Sequence, residues 1–218
     1  NECRKMKIEV NPPDVNISSI DFRPVDSTTI SFGLNAIKNV GTKALEQIIE
    51  SRKEKERYES IYDFTANVAL KTVNKKVLES LIMAGAMDSL EGNRAQKFNE
   101  IEVALKYGQN EQDAKSKNQV DLFGGSQFNG TSDSMVPVLT QIEEWPESKM
   151  LENEKEVLGM YLSGHPLLKY ADDLEEYSNF DFTDKINYHD QDKIRIGGAI
   201  TDLKLHFDKK NNQMAFFK

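Results

Sequence analysis

Phe32–Arg52 reads FGLNAIKNVGTKALEQIIESR, and its punctuation decides how the chain folds. The spacing predicts a short helix over Leu34–Lys38, a tight hairpin at Asn39-Val40-Gly41 and a longer helix from Thr42. Leu45, Ile48 and Ile49 recur at helical spacing, so one face of the second helix is apolar. Thr42 is the expected N-cap, its hydroxyl accepting from a backbone N–H of the first turn. Gly41 has no Cβ to hold another backbone away, and Asn39 is one of the few non-glycine residues that tolerates a positive φ. The expected product is a set of N–H groups at the positive end of a helix, flanked by Lys38 and Lys43. That arrangement suits an anion, and a phosphate foremost.

Downstream the pattern recurs. Glu50–Tyr58 is a mixed-charge helix end expected to face solvent, and Ile61, Phe64 and Val68 form a short apolar stripe. Asn74–Met83 reads as a helix with Val77, Leu78, Leu81 and Ile82 inward, Gly85 follows as a C-cap, and Glu91-Gly92-Asn93 turns the chain. Arg94–Tyr107 resumes as a helix with Phe98, Ile101, Ala104 and Leu105 on one side. Helix, Gly-containing turn, helix thus occurs twice, with Gly85, Asn93 and Arg94 the expected phosphate contacts of the second unit. A plain helical bundle with ordinary corners is the competing reading.

Ile37-Lys38-Asn39-Val40-Gly41-Thr42-Lys43-Ala44 resembles the helix-hairpin-helix motif of DNA-binding proteins, whose usual form is apolar-Pro-Gly-apolar-Gly-x-x-Ala. The second Gly and the Ala are kept, while Lys replaces Pro and Asn replaces the first Gly.

Upstream, Asn1–Val10 reads as a helix end followed by a strand-like step, Pro12-Pro13-Asp14 breaks regular structure, and residues 15–32 alternate loosely as short extended segments. The start lacks an initiator Met, as in a fragment of a longer chain. Beyond Gly108 the composition turns polar, and residues 109–145 are expected to be a mobile linker, too poor in apolar residues to offset the entropy of ordering. Within it lies Gln119-Val120-Asp121-Leu122-Phe123, an apolar pair in a polar tract with the look of a docking peptide. Glu147–Leu162 is expected as one helix ended by Gly164-His165-Pro166, residues 171–192 as an acidic loop, and Lys193–Phe207 as a strand. Asp208–Asn212 then turns into a strand over Met214–Phe217.

Composition narrows the function classes. The net charge is −8 and there is one cysteine, Cys3, which leaves no internal disulfide and no multi-cysteine zinc site. No apolar run approaches a membrane span and no signal peptide is legible, so a cytoplasmic home without membrane association is expected. Charge is uneven: residues 33–98 carry eleven Lys+Arg against nine Asp+Glu, a local +2, which leaves −10 for the remainder. His165, His189 and His206 have no ligand spacing, and His165 reads as a helix-terminating residue. No catalytic residue, metal ligand or cofactor is expected in this chain.

Taken in order, Pro12–Asn16, Phe32–Leu34 with Ala36–Gly41, Val77–Ile82 with Ala84–Ala86, the QVDLF peptide, and Leu158-Gly159 with Tyr161–Pro166 resemble the bacterial replicative DNA polymerase III alpha subunits. The resemblance covers nearly the whole chain. It implies a mainly α fold: the end of the fingers region and a connecting segment (1–31), a tandem helix-hairpin-helix domain (32–108), the linker (109–145), a connecting helix (146–170) and the first strands of an incomplete OB-type β-barrel (171–218). It also implies duplex DNA held at Lys38–Lys43, Gly85, Asn93 and Arg94, a sliding clamp bound by Gln119–Phe123, and other replicase subunits reached through the parent chain. The family's polymerase carboxylates lie upstream, so no polymerase activity is expected of this stretch. A fragment of a DNA-repair enzyme, or a structural helical interaction domain, are the alternatives.

Overall fold

Ser60, Asn74 and Asn93 set where three helices begin. Each side chain accepts a bond from the backbone N–H three residues on: Asp63 at 3.1 Å, Val77 at 3.2 Å and Gln96 at 2.8 Å. The computed structural model describes Cys3 and residues 6–121, 136–180, 189, 193–200 and 202–218, with 117–121 described by backbone alone. The helices are α1 (Thr42–Lys55), α2 (Ile61–Asn67), α3 (Lys75–Met83), α4 (Arg94–Asn99), α5 (Ile101–Asp121), α6 (Glu147–Leu158) and α7 (Ala171–Tyr177). The chain forms two units, Asn1–Ser163 and Gly164–Lys218.

In the first unit the apolar stripes of α1, α2 and α3 meet in one core. Leu45, Ile48, Ile61, Phe64, Leu78, Leu81 and Ile82 are all fully buried. Tyr58, expected at a solvated helix end, is buried as well. Its ring packs edge-on against Phe64 at 4.8 Å, and its hydroxyl donates to the Ile48 carbonyl at 2.8 Å, which satisfies the one polar atom it brings inside. The short helix expected over Leu34–Lys38 is a 3-10 turn confined to Leu34–Ala36.

The segment before the first hairpin is tied into this unit. Strands β1 (Glu9–Asn11), β2 (Arg23–Pro24) and β3 (Thr29–Ser31) form a small sheet in the order β1-β3-β2, with β1 parallel and β2 antiparallel to β3. Between β1 and β2, Val15 is fully buried and donates its N–H to the Ala86 carbonyl at 2.8 Å. The Asn16 amide donates to the Tyr58 carbonyl and to Ser89 Oγ, both at 3.0 Å, and accepts from the Tyr58 N–H at 2.9 Å. Arg52 on α1 donates to the Val15 and Ser18 carbonyls at 2.9 and 3.0 Å. Residues 12–18 therefore bridge the two hairpin units, where a connecting segment was expected.

The linker reading needs correcting at both ends. Helix α5 continues to Asp121, and the polar residues of its middle are engaged with α2. Gly108 lies so close to α2 that a Cβ would sit 2.5 Å from the Thr65 carbonyl oxygen, and Gln112 Nε2 donates to the Thr65 and Val68 carbonyls, both at 2.9 Å. Those are the orphan acceptors at the end of α2. At the other end, residues 136–145 are an extended strap laid on the second hairpin. Leu139 is buried against Gly92. Gln96 donates to the Thr140 carbonyl at 3.0 Å and Asn93 to the Ile142 carbonyl at 2.9 Å, while Trp145 packs edge-on against Phe98 at 5.3 Å.

Helix α6 stops at Leu158, four residues before the expected end, because Gly159 takes up a left-handed conformation (φ +75°) and caps it. Leu151, Val157 and Leu158 are its buried face, while Tyr161 and Leu162 follow the cap.

The second unit contains a 3-10 turn (Leu168–Tyr170), α7, and strands β4 (Leu203–Phe207) and β5 (Gln213–Phe217) paired antiparallel. Asp208 shapes the turn by accepting from the Lys210 and Asn212 N–H groups, both at 2.8 Å, and Asn211 supplies the positive φ of 63°. Two expectations change here. Residues 171–177 are helical where a loop was expected, and among the described residues of the expected 193–207 strand Leu203–Phe207 is the paired stretch. Among the described residues the second unit holds one two-stranded sheet, every strand residue of which is exposed; a closed barrel is not formed by them.

Candidate nucleic-acid interface

The first hairpin presents its backbone outward. Lys38, Asn39, Gly41, Thr42 and Lys43 are exposed, and Val40 alone turns into the core. Asn39 has φ +66°, and its side chain donates to Ser80 Oγ on α3 at 3.1 Å. Ser80 is itself buried, so a fixed point inside the fold holds Asn39 in its unusual conformation. The Lys38 N–H is also committed, donating to the Val157 carbonyl at the end of α6 at 2.9 Å. The hairpin is thus pinned on both sides by elements outside the motif.

Helix α1 begins differently from expectation. Gly41 is the N-cap and Thr42 the first helical residue, with no side chain capping the end. The N–H groups of Gly41, Thr42 and Lys43 donate to no acceptor among the described residues. Gly41 has φ −76° and ψ 156°, an ordinary extended conformation, and nothing lies within 4 Å of where its Cβ would be. Neither the turn nor the core asks for glycine at this position. The lack of a side chain clears only the outer approach to the free N–H groups, and these sit at the positive end of a fourteen-residue helix.

The second hairpin is closed. Gly85 (φ +76°) ends α3, and a Cβ there would collide with the Arg94 guanidinium, so this glycine makes room for a neighbour within the fold. Asn93 caps α4 in a reciprocal box with Gln96. Arg94, expected to reach a phosphate, is 8% exposed. It donates through Nε and Nη2 to Asp88, the shortest contact 2.7 Å, and through Nη1 to Glu154 at 3.0 Å. Both charges it can answer are already supplied.

The start of α4 has a carboxylate on it. Glu144 of the strap accepts from the Arg94 N–H at 2.9 Å and the Ala95 N–H at 3.0 Å. Burial works to raise the Glu144 pKa, but the N–H groups of Arg94, Trp145 and Ala95 and the Arg94 charge outweigh it and hold the group below the ordinary value. Gly85 and Arg94 lie together, and the polar groups of Asn93 and Arg94 are engaged by bonds internal to the protein.

Lys97 is fully buried, its ammonium bonded to the Leu90, Glu91 and Gly92 carbonyls. Burial lowers its pKa, and the more distant carboxylates of Asp88 and Glu144 oppose that. It fastens the turn between α3 and α4. Tyr62, whose hydroxyl donates to Glu100 at 3.1 Å, is pushed up to about 12 by burial first and by that carboxylate second.

Gln119, Val120 and Asp121 are the last residues of α5, while Leu122 and Phe123 lie outside the described residues. His165 accepts from the Leu167 N–H through Nδ1 at 3.2 Å, a turn-shaping role. The acidic pairs Asp172-Asp173 and Glu175-Glu176 are exposed on α7. Among the described residues no group of His, Cys, Asp or Glu is placed to hold a metal ion, and no helix is long and apolar enough to cross a membrane. Ser80 and Glu144 are the functional residues that sequence reading missed. Ser80 is the polar break in the apolar stripe of NKKVLESLIM, and Glu144 is an acid directly before Trp-Pro; neither spacing names its partner.

The first unit carries a helix-hairpin-helix module whose first hairpin leaves the Gly41–Lys43 N–H groups without acceptors among the described residues, and the family model for the helix-hairpin-helix motif matches residues 7–97. That span takes in the bridging segment before the first hairpin. The chain belongs to the DNA polymerase III alpha-subunit family. It is 32% identical over 213 residues to the DNA polymerase III subunit alpha of Vibrio cholerae and 35% identical over 220 residues to that of Saccharopolyspora erythraea. Each match covers 98% of this chain and 18% of the relative. The Escherichia coli K12 subunit is 35% identical over 176 residues, which is 81% of this chain and 15% of the relative. The chain thus spans less than a fifth of the length of the curated relatives it matches.

Proposed function

We propose that this chain is a non-catalytic part of a replicative DNA polymerase, holding duplex DNA by its backbone and tethering the enzyme to a sliding clamp. The observation that carries the DNA half is the first hairpin: three successive N–H groups without acceptors among the described residues, a glycine whose face meets no described atom within 4 Å, and two exposed lysines. Donors of this kind position a phosphate backbone and carry no base information. The tether half rests on Gln119–Phe123 and on the family resemblance. A docking peptide in the same chain as the DNA site raises the effective concentration of the clamp, so that dissociated complexes are recaptured.

Salt is the diagnostic. Each lysine–phosphate contact contributes roughly −0.9 to the slope of log K against log[salt] on duplex DNA. Replacing Lys38 and Lys43 by Ala should flatten that slope by about 2 in titrations of unrelated duplex sequences, with wild-type thermal stability, because both side chains are exposed. An unchanged slope would make the hairpin a structural corner.

A further inference from the structure

The bond from the Lys38 N–H to the Val157 carbonyl, at 2.9 Å, seats the end of α6 directly against the open hairpin. Lys155 lies two residues earlier on α6, about 3 Å along the helix axis and about 200° around it, so it stands on the outer side of α6 while Val157 faces the core. It is exposed, and its ammonium sits 5.0 Å from the centre of the Tyr161 ring and 3.2 Å from the Tyr161 hydroxyl. A tyrosine orients an ammonium without neutralising it. Lys155 has no carboxylate partner among the described residues. Elsewhere in this unit Lys75 pairs with Glu102, Lys76 with Glu79 and Lys149 with Glu152. The chain turns sharply at Gly159, whose left-handed conformation brings Tyr161 back beside α6.

We propose that Lys155, steadied by Tyr161, is a further phosphate contact on the rim of the first hairpin. The ligand is the strand already seated on Asn39–Lys43. Successive phosphates of one strand advance about 3.4 Å along the duplex axis, so a strand that meets the N–H groups of Gly41–Lys43 carries neighbouring phosphates past the end of α6. The linear motif supplies the seat and a helix more than a hundred residues later in the sequence supplies its flank. The inference rests on the reading of the first hairpin as a duplex-backbone site, and the two can fail separately.

The test is a salt series of fluorescence-anisotropy titrations on labelled duplex DNA with the whole 218-residue chain, comparing Lys155→Ala, Lys149→Ala and the Lys38→Ala/Lys43→Ala pair. Lys149 lies near the opposite end of α6, so its variant removes the same charge away from the rim. The expected result is a slope flatter by roughly 0.9 for Lys155→Ala, no such change for Lys149→Ala, and a Tyr161→Phe variant that weakens binding less than Lys155→Ala does. If the hairpin pair flattens the slope and Lys155→Ala does not, or if Lys149→Ala matches Lys155→Ala, the rim contact is wrong while the hairpin site stands. If neither variant set flattens it, both readings fall.

Discussion

Gly41→Val separates an inward reason for the glycine from an outward one. Valine fits the extended conformation at position 41 (φ −76°, ψ 156°), and its Cβ meets nothing within 4 Å, so no internal clash follows. Replacing glycine narrows the unfolded ensemble, worth about 0.4–1 kcal/mol in favour of folding. A β-branched N-cap is poorer than glycine by a similar amount. The two offset to within about 1 kcal/mol, and thermal unfolding followed by circular dichroism should shift by only a few degrees. Binding is another matter. The added methyls stand over the Gly41–Lys43 N–H groups, and a hydrogen bond to a charged partner contributes about 1.5–3 kcal/mol. Losing one such bond should weaken duplex affinity ten- to a hundred-fold, at every salt concentration and without a change in slope, since Lys38 and Lys43 remain. Unaltered affinity in a variant that melts like the wild type would refute the reasoning. So would a loss of stability of several kcal/mol, because the glycine would then be serving the fold.

Two further outcomes are expected. Leu122→Ala with Phe123→Ala should abolish measurable binding to an immobilised sliding clamp, since about 1.5–3 kcal/mol of burial goes with each side chain, and should leave duplex binding untouched; retained clamp affinity would remove the tether. The strap should also report acid: Glu144 is held below the usual glutamate value of 4.5, and so is Glu100, first by the Thr140 hydroxyl bond at 2.5 Å. Carboxylates with depressed pKa values add stability above their unfolded values and lose it as pH falls through the folded ones. The emission of Trp145, the single tryptophan, should therefore be constant near neutrality and change only below about pH 4.5, whereas Glu144→Ala should bring that change to neutral pH.

Much of the helical frame is written in short-range chemistry. Asn74, Asn93, Gly85 and Gly159 act on their own backbone or that of near neighbours, so the starts of α3 and α4 and the end of α3 can be read from the sequence. Thr42 was misjudged as a cap because Gly41 holds that position and leaves the helix end bare. The described ends of the polar tract after Gly108 depart from the linker expectation for a different reason. Gln112, Thr140 and Glu144 are hydrophilic, and composition alone assigns them to solvent. In the fold Gln112 and Glu144 each satisfy terminal backbone groups more than 35 residues away, and the Thr140 hydroxyl donates to the Glu100 carboxylate. Arg94 shows the converse: a basic residue at a turn suggests an external anion, and only the distant Glu154 and the nearby Asp88 reveal that its charge is answered at home.

Glu144 on the Arg94 and Ala95 N–H groups has a mechanical consequence. If the first hairpin seats a duplex as proposed, the protein's own carboxylate on the second leaves that duplex held along one strand. A rod gripped along one edge can still roll about that edge, and neither the roll angle nor the choice between its two ends is set by the grip. On that reading direction along the DNA is not set by this module, which would act as a swivel.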